Sequence, residues 1–329
     1  MDYFTVFDEK RIVCQLCKHH CKIKEGKVGL CGVNKNENNE LKNLVYGHPA
    51  SVAIDPIEKK PLFHMLPSSS VLSFGTVGCN FRCPFCQNWQ LSQERDIDTT
   101  HYVSPTQMVE LALEHECESI AYTYNEPTIF YPYAKDVALE AHKKGIKNIY
   151  VSNGFESDEM IEDMTGLIDA VNIDLKSFNK DYYKKTLKGD LDEILKGLKA
   201  FKKNGIWLEV TTLIVPGDND SSEELSQIAN FIAKELDVFT PWHISAFHPD
   251  YKVLDKMRTP LATLEKAMKI GKEAGLKYIY KGNIVEDADT YCPNCQELLI
   301  HRNVFNVHSN KLKEGHCPKC DYALQGIWK

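Results

Sequence analysis

The stretch that decides the fold and the chemistry of this chain is Gly78-Cys79-Asn-Phe-Arg-Cys83-Pro-Phe-Cys86. It follows an apolar run, Val71–Val77, of the kind that forms a buried strand. The cysteines have the spacing C-x3-C-x2-C, so each thiolate can bind one corner iron of a cubane cluster, because soft sulfur ligands suit iron–sulfur centres. The next cysteine is Cys117, 31 positions further on, so the loop supplies no fourth thiolate.

A [4Fe–4S] cluster with three protein ligands leaves one iron open to a small molecule. The amino and carboxylate groups of S-adenosylmethionine (SAM) can fill that position and bring its sulfonium beside the cluster to accept an electron. Cleavage then yields methionine and a 5′-deoxyadenosyl radical. The alternative interpretation is a zinc site built from these three cysteines and a distant fourth ligand.

Downstream of the cysteine loop, short apolar runs alternate with segments of helical period. A capping box with proline at the first helical position, Ser104-Pro105-Thr106-Gln107, marks the start of one helix. Strands and helices that alternate in this way predict an α/β fold with parallel strands, wound as a barrel or an open sheet. The strand candidates are Val71–Val77, Ser119–Tyr124, Lys147–Val151, Ala170–Leu175, Ile206–Ile214, Trp242–Phe247 and Leu276–Tyr280.

Polar motifs follow the predicted strands, and this placement favours a barrel-type site. In βα barrels the loops at the carboxyl ends of the strands converge on one mouth, where the active site lies. The motifs concerned are Cys79–Cys86, Tyr124–Pro127, Ser152–Gly154, Asp174–Lys176, Thr211–Pro216, His243–His248 and Gly282–Asn283.

The composition is that of a globular protein of 329 residues, with 43% hydrophobic and 26% charged residues. Its formal charge of −7 argues against nucleic-acid binding through bulk positive charge, although a nucleic-acid substrate stays open. We see no signal peptide and no apolar stretch of the roughly 18 residues that a membrane span needs. The sequence therefore predicts a cytoplasmic protein.

A group of lysines around the predicted helix 191–203 is interpreted as a solvated face rather than an RNA-binding surface. On the helix they lie opposite the apolar stripe formed by Leu191, Ile194, Leu195, Leu198 and Phe201. The lysines are Lys180, Lys184, Lys185, Lys188, Lys196, Lys199, Lys202 and Lys203.

The chain contains 12 cysteines, and two further groups of four flank the central loop. Without a secretion signal, such groups indicate metal sites rather than disulfides. Cys292, Cys295, Cys317 and Cys320 form two Cys-Pro-x-Cys knuckles, which predict a zinc-ribbon-like site, with an iron–sulfur cluster as the competitor. Cys14, Cys17, Cys21 and Cys31 predict a second site, for zinc or for an auxiliary cluster, with His19 and His20 as possible substitutes.

These groups predict three parts. Residues 1–70 form an N-terminal metal-binding segment with four cysteines, residues 71–285 the barrel core, and residues 286–329 a C-terminal zinc-ribbon-like module. The division near residue 70 rests on Pro67-Ser68-Ser69-Ser70, a composition typical of linkers.

Four motifs resemble the radical SAM enzymes of the AmmeMemoRadiSam system, a branch of the radical SAM superfamily related to pyruvate formate-lyase activating enzymes. The resemblance runs from Cys14 to Trp328 and includes an aromatic residue, Phe85, before the last cysteine of the loop. The motifs are Asp55-Pro-Ile-Glu-Lys-Lys-Pro-Leu-Phe-His64, Gly78-Cys-Asn-Phe-Arg-Cys-Pro-Phe-Cys-Gln-Asn88, Tyr122-Thr-Tyr-Asn-Glu-Pro-Thr128 and His243-Ile-Ser-Ala-Phe-His-Pro249.

The resemblance implies a partial (β/α)6 barrel and a set of SAM-binding residues. Glu126 stands in the loop that binds the methionyl amine, although the two glycines usual before it are absent. Ser152 and Asn153 match the turn that reaches the ribose and carboxylate, and His243 matches a histidine near the adenosine. Alternatively, Glu126 caps a helix and His243 is an interior residue.

Asp174 and Lys176 match the Asp-Leu-Lys motif of the activating enzymes, where the aspartate joins a second aspartate at a monovalent-cation site. Val151 occupies the position of that second aspartate, so the cation site is in doubt. The alternative role for Asp174 and Lys176 is a structural ion pair at the barrel rim.

The resemblance also implies partners and a reaction class. A low-potential ferredoxin or flavodoxin supplies the electron, and the two companion proteins of the system are candidate partners. We expect hydrogen abstraction from an unidentified substrate, with a macromolecule among the candidates. The alternatives are activation of a glycyl-radical enzyme and, from another class, an iron–sulfur and zinc scaffold or electron carrier without SAM chemistry. A carrier has no need for polar loops around an open iron.

Overall fold

A computed structural model of the chain describes residues 2–329. Two small antiparallel sheets come first. One contains β1 (Phe4–Asp8), β2 (Arg11–Cys14) and β3 (Lys22–Lys24), and the other contains β4 (Asn34–Glu37) and β5 (Glu40–Asn43). The backbone of Lys18 donates to Phe155 O at 3.0 Å, and that of Ser157 donates to Leu16 O at 3.2 Å. The loop between β2 and β3 therefore packs directly against the rest of the molecule, and the β4–β5 sheet does so through the side-chain amides of Asn34 and Asn43, which donate to Ile129 O.

The centre of the molecule is a mostly parallel sheet of eight strands. In chain order they are β6 (Ser51–Pro56), β7 (Ser70–Gly75), β8 (Ser119–Tyr122), β9 (Lys147–Ser152), β10 (Ala170–Asp174), β11 (Trp207–Ile214), β12 (Trp242–Ala246) and β13 (Ile279–Gly282). Neighbours in the chain are neighbours in the sheet, and β6 alone runs antiparallel to its partner. β6 and β13 form the two edges, so this sheet stays open.

Helices connect the parallel strands. The α-helices are α1 (Trp89–Ser92), α2 (Pro105–Glu114), α3 (Tyr131–Lys143), α4 (Asp158–Met164), α5 (Lys180–Tyr182), α6 (Leu191–Lys203), α7 (Ser222–Phe231) and α8 (Leu261–Glu273). Short 3-10 turns lie at Ile57–Lys59 and Pro127–Phe130, and π-helical turns at Tyr183–Leu187 and Ile232–Leu236. The predicted α/β class with parallel strands is confirmed, as six strand–helix units and a seventh parallel strand.

Local sequence explains where two of these helices form. The Ser104 side chain accepts a hydrogen bond from Gln107 N at 3.2 Å, and Gln107 Oε1 accepts from Ser104 N at 2.9 Å, which is the predicted capping box. In α6, Ile194, Leu198 and Phe201 are buried on one face, as the apolar spacing predicts. On its other face Lys196, Lys199 and Lys203 are exposed and Lys202 is half-buried.

The edge strand β6 is the element of the central sheet that the sequence analysis missed. Its residues alternate between half-buried and exposed up to Asp55, and it ends at Pro56. The seven predicted strands are apolar on both faces, whereas β6 is covered on one face and carries a proline at its end. It joins the first 70 residues to the sheet. The domain boundaries at residues 70 and 285 remain a prediction from the sequence.

The C-terminal module contains β14 (Thr290–Tyr291), β15 (Leu298–Asn303) and β16 (Asn306–Asn310) in one antiparallel sheet. Its small core consists of Cys292, Leu299, Ile300, Cys317 and Leu324. A core of this size stabilises little by itself, which fits a module that depends on a bound metal.

The parallel register aligns the polar residues of neighbouring strands. Asp174 lies opposite Thr211, Thr211 opposite His243, and His243 opposite Tyr280, so one row crosses four strands. No helix within residues 2–329 is long and apolar enough to cross a membrane.

Candidate active site

A cavity of about 500 Å³ lies at the carboxyl ends of the parallel strands, where sites in βα barrels form. It brings together the residues that the sequence analysis singled out around the central cysteine loop. Its lining includes Cys79, Cys83, Cys86, Glu126, Ser152, Asn153, Asp174, Lys176 and His243. Among the residues that line this cavity, the cysteines are those of the 79–86 loop.

The cysteine loop begins at Gly78, whose backbone has φ +93°. A Cβ atom there would lie 2.8 Å from the carbonyl oxygen of Cys31, so only glycine allows this close approach. Phe81 N donates a hydrogen bond to Cys79 Sγ at 3.3 Å, and Ser92 Oγ lies 3.2 Å from Cys86 Sγ. Donors of this kind stabilise sulfur that carries negative charge.

Burial keeps the thiols of the cysteine loop protonated until a metal binds. Burial raises the pKa of Cys79 well above its ordinary value and that of Cys83 to about 12, while the charge of Lys176 opposes the effect on Cys83. Iron must therefore displace protons from these thiols when it binds. Three soft ligands without a fourth in the cavity fit a [4Fe–4S] cluster with one open iron.

The loop after β8 is joined to the cysteine loop through Asn125. Its Nδ2 donates to Thr76 Oγ1 at 3.1 Å and to Gly78 O at 2.9 Å, and its Oδ1 accepts from Thr76 N at 3.2 Å. Tyr124 has φ +69° and donates its hydroxyl to Asp55 Oδ2 at 2.8 Å. These bonds fix the loop although it lacks the two glycines of the family motif.

Glu126 lies at the wall of the cavity, and its carboxylate is already occupied by hydrogen bonds. Oε1 accepts from Thr128 N at 3.1 Å and from Ser152 Oγ at 2.8 Å, and Oε2 accepts from Asn153 N at 2.8 Å. Glu126 therefore caps the turn that follows, which was the alternative considered for it. It also fixes the backbone of the Ser152–Asn153 turn.

A second buried carboxyl group, Glu156, lies beside Glu126, and the sequence analysis missed it. Thr128 Oγ1 is 3.2 Å from Glu156 Oε1, and Ser152 Oγ contacts the same oxygen. Burial, and then the charge of Glu126, raises the pKa of Glu156 above its ordinary value. Thr128 Oγ1 and Ser152 Oγ contact both carboxyl groups, and the raised pKa favours a protonated Glu156 at neutral pH.

Asp174 and Lys176 form an ion pair at the cavity, with Lys176 Nζ 2.7 Å from Asp174 Oδ2. Burial is the largest single effect and favours the neutral lysine, but the charge and hydrogen bond of Asp174, together with the charge of Cys83, outweigh it and raise the pKa of Lys176. The charge of Lys176 lowers the pKa of Cys83 more than the charge of Asp174 raises it, so the lysine end of the pair dominates at the cysteine loop.

His243 depends on a buried residue that the sequence analysis missed, Glu209 on β11. Glu209 Oε2 lies 2.6 Å from His243 Nε2 and also accepts from Phe63 N at 3.0 Å, while Oε1 accepts from His64 N at 2.8 Å. Burial is the largest single effect and opposes the charged carboxylate, but the hydrogen bond and charge of His243, with the charge of His64 and the Phe63 N–H, together outweigh it and lower the pKa of Glu209. Nε2 of His243 therefore carries a proton, and Nδ1 is the ring nitrogen available to a ligand. The sequence feature that could have identified Glu209 is its position as a lone glutamate inside the apolar strand Trp207–Ile214.

The two outer segments complete the walls of the cavity. Glu58 and Phe63 come from the N-terminal segment, and Val304 and Phe305 from the turn between β15 and β16. Arg302 is fully buried and joins the segments, since its Nη2 donates to Phe63 O at 2.7 Å and its Nε lies 3.5 Å from Glu58 Oε1.

The four C-terminal cysteines converge on one point. Their sulfur atoms all lie within 4.8 Å of one another, with 3.6 Å between Cys292 and Cys320 and 3.7 Å between Cys295 and Cys317. Tetrahedral Zn–S bonds of about 2.3 Å place the sulfurs about 3.8 Å apart, so this group has the dimensions of a single-ion site.

The four N-terminal cysteines also come together, but no three of their sulfur atoms lie within 4.8 Å of one another. Cys14, Cys17, Cys21 and Cys31 line one small cavity together with His19. His20 turns to Gln15 instead, with its Nδ1 2.8 Å from Gln15 Oε1.

Comparison with known proteins gives a family and its relatives. A family model for the radical SAM superfamily matches residues 74–232. An uncharacterised protein of Methanocaldococcus jannaschii is 45% identical over 308 residues, which cover 93% of this chain and 92% of that protein. A putative glycyl-radical enzyme activating enzyme of the same organism is 29% identical over 213 residues, which cover 61% of this chain and 83% of that protein.

Solved structures share the fold. A radical SAM methyltransferase from Sphaerobacter thermophilus has a TM-score of 0.53 at 13% identity, over 67% of this chain and 68% of that one. At this identity the likeness concerns the fold alone.

Proposed function

Because the chain belongs to the radical SAM superfamily, we propose that Cys79, Cys83 and Cys86 hold a [4Fe–4S] cluster and that the cavity above them binds SAM. When bound, this pair supplies a 5′-deoxyadenosyl radical that abstracts hydrogen from a substrate. The observation that carries the proposal is the single cavity in which three cysteines meet polar residues from the ends of five successive strands.

The chain's own residues bind and orient SAM. Ser152 and Asn153 form the turn that contacts the ribose and carboxylate, and Glu126 holds that turn through Ser152 Oγ and Asn153 N. The amine of SAM is bound by the loop 124–126, whose backbone Asn125 fixes against the cysteine loop. His243, with Nε2 held by Glu209, contacts the adenosine through Nδ1.

The charges around the cavity suit this assignment. The Lys176 ammonium offsets the negative charge of the thiolates, and Asp174 holds it in place. Val151 lies at the cavity where a second aspartate would be needed, so we propose no monovalent-cation site there.

The experiment is anaerobic reconstitution of the full chain with iron and sulfide, followed by incubation with SAM and dithionite. We expect 5′-deoxyadenosine to form, and the triple variant Cys79→Ala/Cys83→Ala/Cys86→Ala to form none. Cys117→Ala is the matched control and should keep the activity, because Cys117 is a buried thiol whose recorded contact is the His115 carbonyl, 3.8 Å away. Deoxyadenosine formed by the triple variant at the rate of the intact chain would refute the proposal.

Activation of a glycyl-radical enzyme is a second candidate for the reaction. It is supported by the similarity to a putative glycyl-radical enzyme activating enzyme, which covers 83% of that protein. We favour another substrate docked between the barrel and the outer segments, since Glu58, Phe63, Val304 and Phe305 add walls to the cavity. A glycine radical signal on a companion chain, detected by electron paramagnetic resonance (EPR), would decide for the activase.

We propose the following partners on the same basis. A ferredoxin or flavodoxin, acting in the cytoplasm, reduces the cluster, and the two companion proteins of the AmmeMemoRadiSam system bind the chain or its substrate. Zinc is our proposal for Cys292, Cys295, Cys317 and Cys320, on the strength of their sulfur spacing.

A further inference from the structure

Two of the lysines that line the active-site cavity share a single carboxylate. Lys59 Nζ lies 2.8 Å from Asp55 Oδ1, and Lys60 Nζ lies 2.7 Å from Asp55 Oδ2. The other lysines of the cavity wall, Lys176 and Lys281, each have a carboxylate of their own. The charge of the Lys59 and Lys60 pair is therefore only half compensated.

The shared carboxylate lies behind the lysines. Lys59 and Lys60 line the cavity, whereas Asp55 is buried and does not. Asp55 Oδ2 also accepts a hydrogen bond from the Tyr124 hydroxyl at 2.8 Å. Burial is the largest single effect on Asp55 and opposes its charge, but the hydrogen bonds of Lys59, Lys60 and Tyr124, with the charge of Lys60, together outweigh it and lower the pKa of Asp55. Asp55 therefore stays ionised and balances one of the two ammonium groups.

The neighbouring acidic group of this wall has a cation of its own. Glu58 lines the cavity, and the fully buried Arg302 lies with its Nε 3.5 Å from Glu58 Oε1. Burial raises the pKa of Glu58, which further reduces its negative charge. Three cations and two carboxylates thus leave this part of the wall with a net positive charge.

Lys60 is the buried member of the pair and has unused hydrogen-bond donors. Its side chain is 3% exposed, and its ammonium group carries three N–H donors. One of them is taken by Asp55 Oδ2, and the ammonium also lies over the Tyr124 ring, 4.6 Å from the centroid. Burial lowers the pKa of Lys60, and the charge of Lys59 adds to this effect. An acceptor with negative charge in the cavity would satisfy the free donors and favour the charged lysine.

The segment that carries these lysines runs along the proposed SAM site. Lys60 contacts Tyr124, which belongs to the loop proposed to bind the amine of SAM. Further along the segment, the Phe63 ring lies 4.8 Å from the ring of His243, the residue proposed to contact the adenosine. A group bound at Lys60 would therefore lie beside SAM.

Hydrogen bonds hold the segment in one position. Asn172 Nδ2 donates to Pro61 O at 2.7 Å, and Lys60 N donates to Ile57 O at 2.9 Å. The bonds from the backbone of Phe63 and His64 to Glu209 fix its end. A ligand would meet donors that are already positioned, so little ordering opposes its binding.

We propose that Lys60, assisted by Lys59, binds an oxyanion of the substrate, a carboxylate or a phosphate, at the wall of the cavity next to SAM. The inference rests on the proposed function and names the substrate class for that site. The carbon skeleton of the substrate packs on the apolar side chains of the same cavity, Phe63, Val304 and Phe305. The substrate of the radical reaction is thus an organic anion.

The experiment titrates the reconstituted full chain, with SAM bound, by anaerobic calorimetry in a buffer poor in other anions. Inorganic phosphate is the probe in one arm and acetate in the other. We expect saturable binding of at least one of them, and the tighter one identifies the class of oxyanion. Lys60→Met removes the charge at similar side-chain length and should weaken this binding by at least about tenfold. Lys185→Met is the matched control, since Lys185 is an exposed lysine paired with Asp181 away from the cavity.

A second variant keeps the test valid if Lys60→Met does not fold. Lys59→Met leaves the buried pair of Lys60 and Asp55 in place, because Lys59 is the half-exposed partner, and it should weaken anion binding several-fold. Equal anion binding by the intact chain and both folded variants, or no binding of either probe, would overturn the subsite.

The affinity for SAM, measured in the same variants, separates this inference from the proposed function. A loss of SAM affinity in Lys60→Met as large as the loss of anion affinity would assign Lys60 to the carboxylate of SAM and overturn the substrate subsite. An intact chain that forms deoxyadenosine but binds neither probe would keep the proposed function and refute the subsite alone. An intact chain that forms no deoxyadenosine would refute the proposed function, whichever anion it binds.

Discussion

The carboxylate of Glu209 accepts a hydrogen bond from Nε2 of His243 at 2.6 Å, between neighbouring strands of the central sheet. Both side chains are buried, and Glu209 also accepts from two backbone N–H groups of the N-terminal segment, those of Phe63 and His64. One carboxylate thus sets the tautomer of the histidine at the cavity and joins two parts of the chain. Glu209 is a positioning residue for His243.

Replacing Glu209 by glutamine should weaken SAM binding. The amide keeps the size of the side chain but loses the charge that orients His243, and hydrogen bonds to charged groups contribute about 1.5–3 kcal/mol. We expect the dissociation constant of SAM, measured by anaerobic calorimetry, to rise about tenfold. Glu235→Gln is the control, since Glu235 lies on the surface 3.5 Å from Lys199. Equal affinities for the intact chain and the Glu209 variant, with His243→Ala weakened, would contradict this role.

Replacing Glu126 by alanine should disorder the Ser152–Asn153 turn, because it removes the acceptors of Ser152 Oγ and Asn153 N. We expect SAM affinity to fall by at least about tenfold, which corresponds to about 1.4 kcal/mol. Charge reversal at Lys199 and Lys202 should leave deoxyadenosine formation nearly unchanged, since these outer lysines act through solvent. If the lysine reversals abolished deoxyadenosine formation while Glu126→Ala changed neither SAM affinity nor deoxyadenosine formation, the SAM site would lie elsewhere in the molecule.

Glu156 predicts a pH dependence of stability. Its pKa is raised in the folded chain, so the folded state binds more protons than the unfolded state between the ordinary value of 4.5 and the raised value. The free energy of unfolding therefore decreases as pH rises through this window, and levels off above the raised pKa. Glu156→Gln is neutral at every pH, so it should remove part of this decrease. The unfolding free energy of the variant, taken relative to that of the intact chain, should therefore be higher at pH 8 than at pH 5. Urea unfolding at pH 5 and pH 8 measures these free energies. Identical pH profiles for the variant and the intact chain would contradict the prediction.

Removing the zinc proposed for the C-terminal module should unfold that module while the central sheet persists. Cys292 and Cys317 belong to its small core, and Cys295, Cys320 and Trp328 pack against that core. Trp328 also donates its indole N–H to Leu324 O at 2.9 Å. A chelator, or Cys295→Ser, should abolish one bound zinc and shift tryptophan fluorescence, with little change in far-ultraviolet circular dichroism. Lys319→Ser, an exposed neighbour of Cys320, is the control and should keep the metal. An unchanged fluorescence spectrum after complete removal of zinc would argue that packing alone holds the module.

Much of this protein was determined locally by its sequence. The spacing of Cys79, Cys83 and Cys86 is set by chain geometry within one loop, so it needed no tertiary information to indicate a cluster. The same holds for the Ser104 capping box and the apolar stripe of α6, because both depend on neighbours within four positions. The alternation of strands and helices fixed the α/β class, and the polar residues after each strand identified the edge of the sheet at which they meet.

Only the tertiary structure decided how those residues are supported. Glu209 contacts His243, which lies 34 positions away in the chain. Glu156 contacts Thr128 at 28 positions, and Arg302 contacts Phe63 at 239 positions. No local sequence motif indicates contacts over such separations. The edge strand β6 escaped prediction because pairing with β7, rather than apolar periodicity, holds it in the sheet. The spacing between sulfur atoms of distant cysteines is likewise a product of folding. Folding brings the four C-terminal sulfur atoms within 4.8 Å of one another, the close approach that a single tetrahedral ion needs.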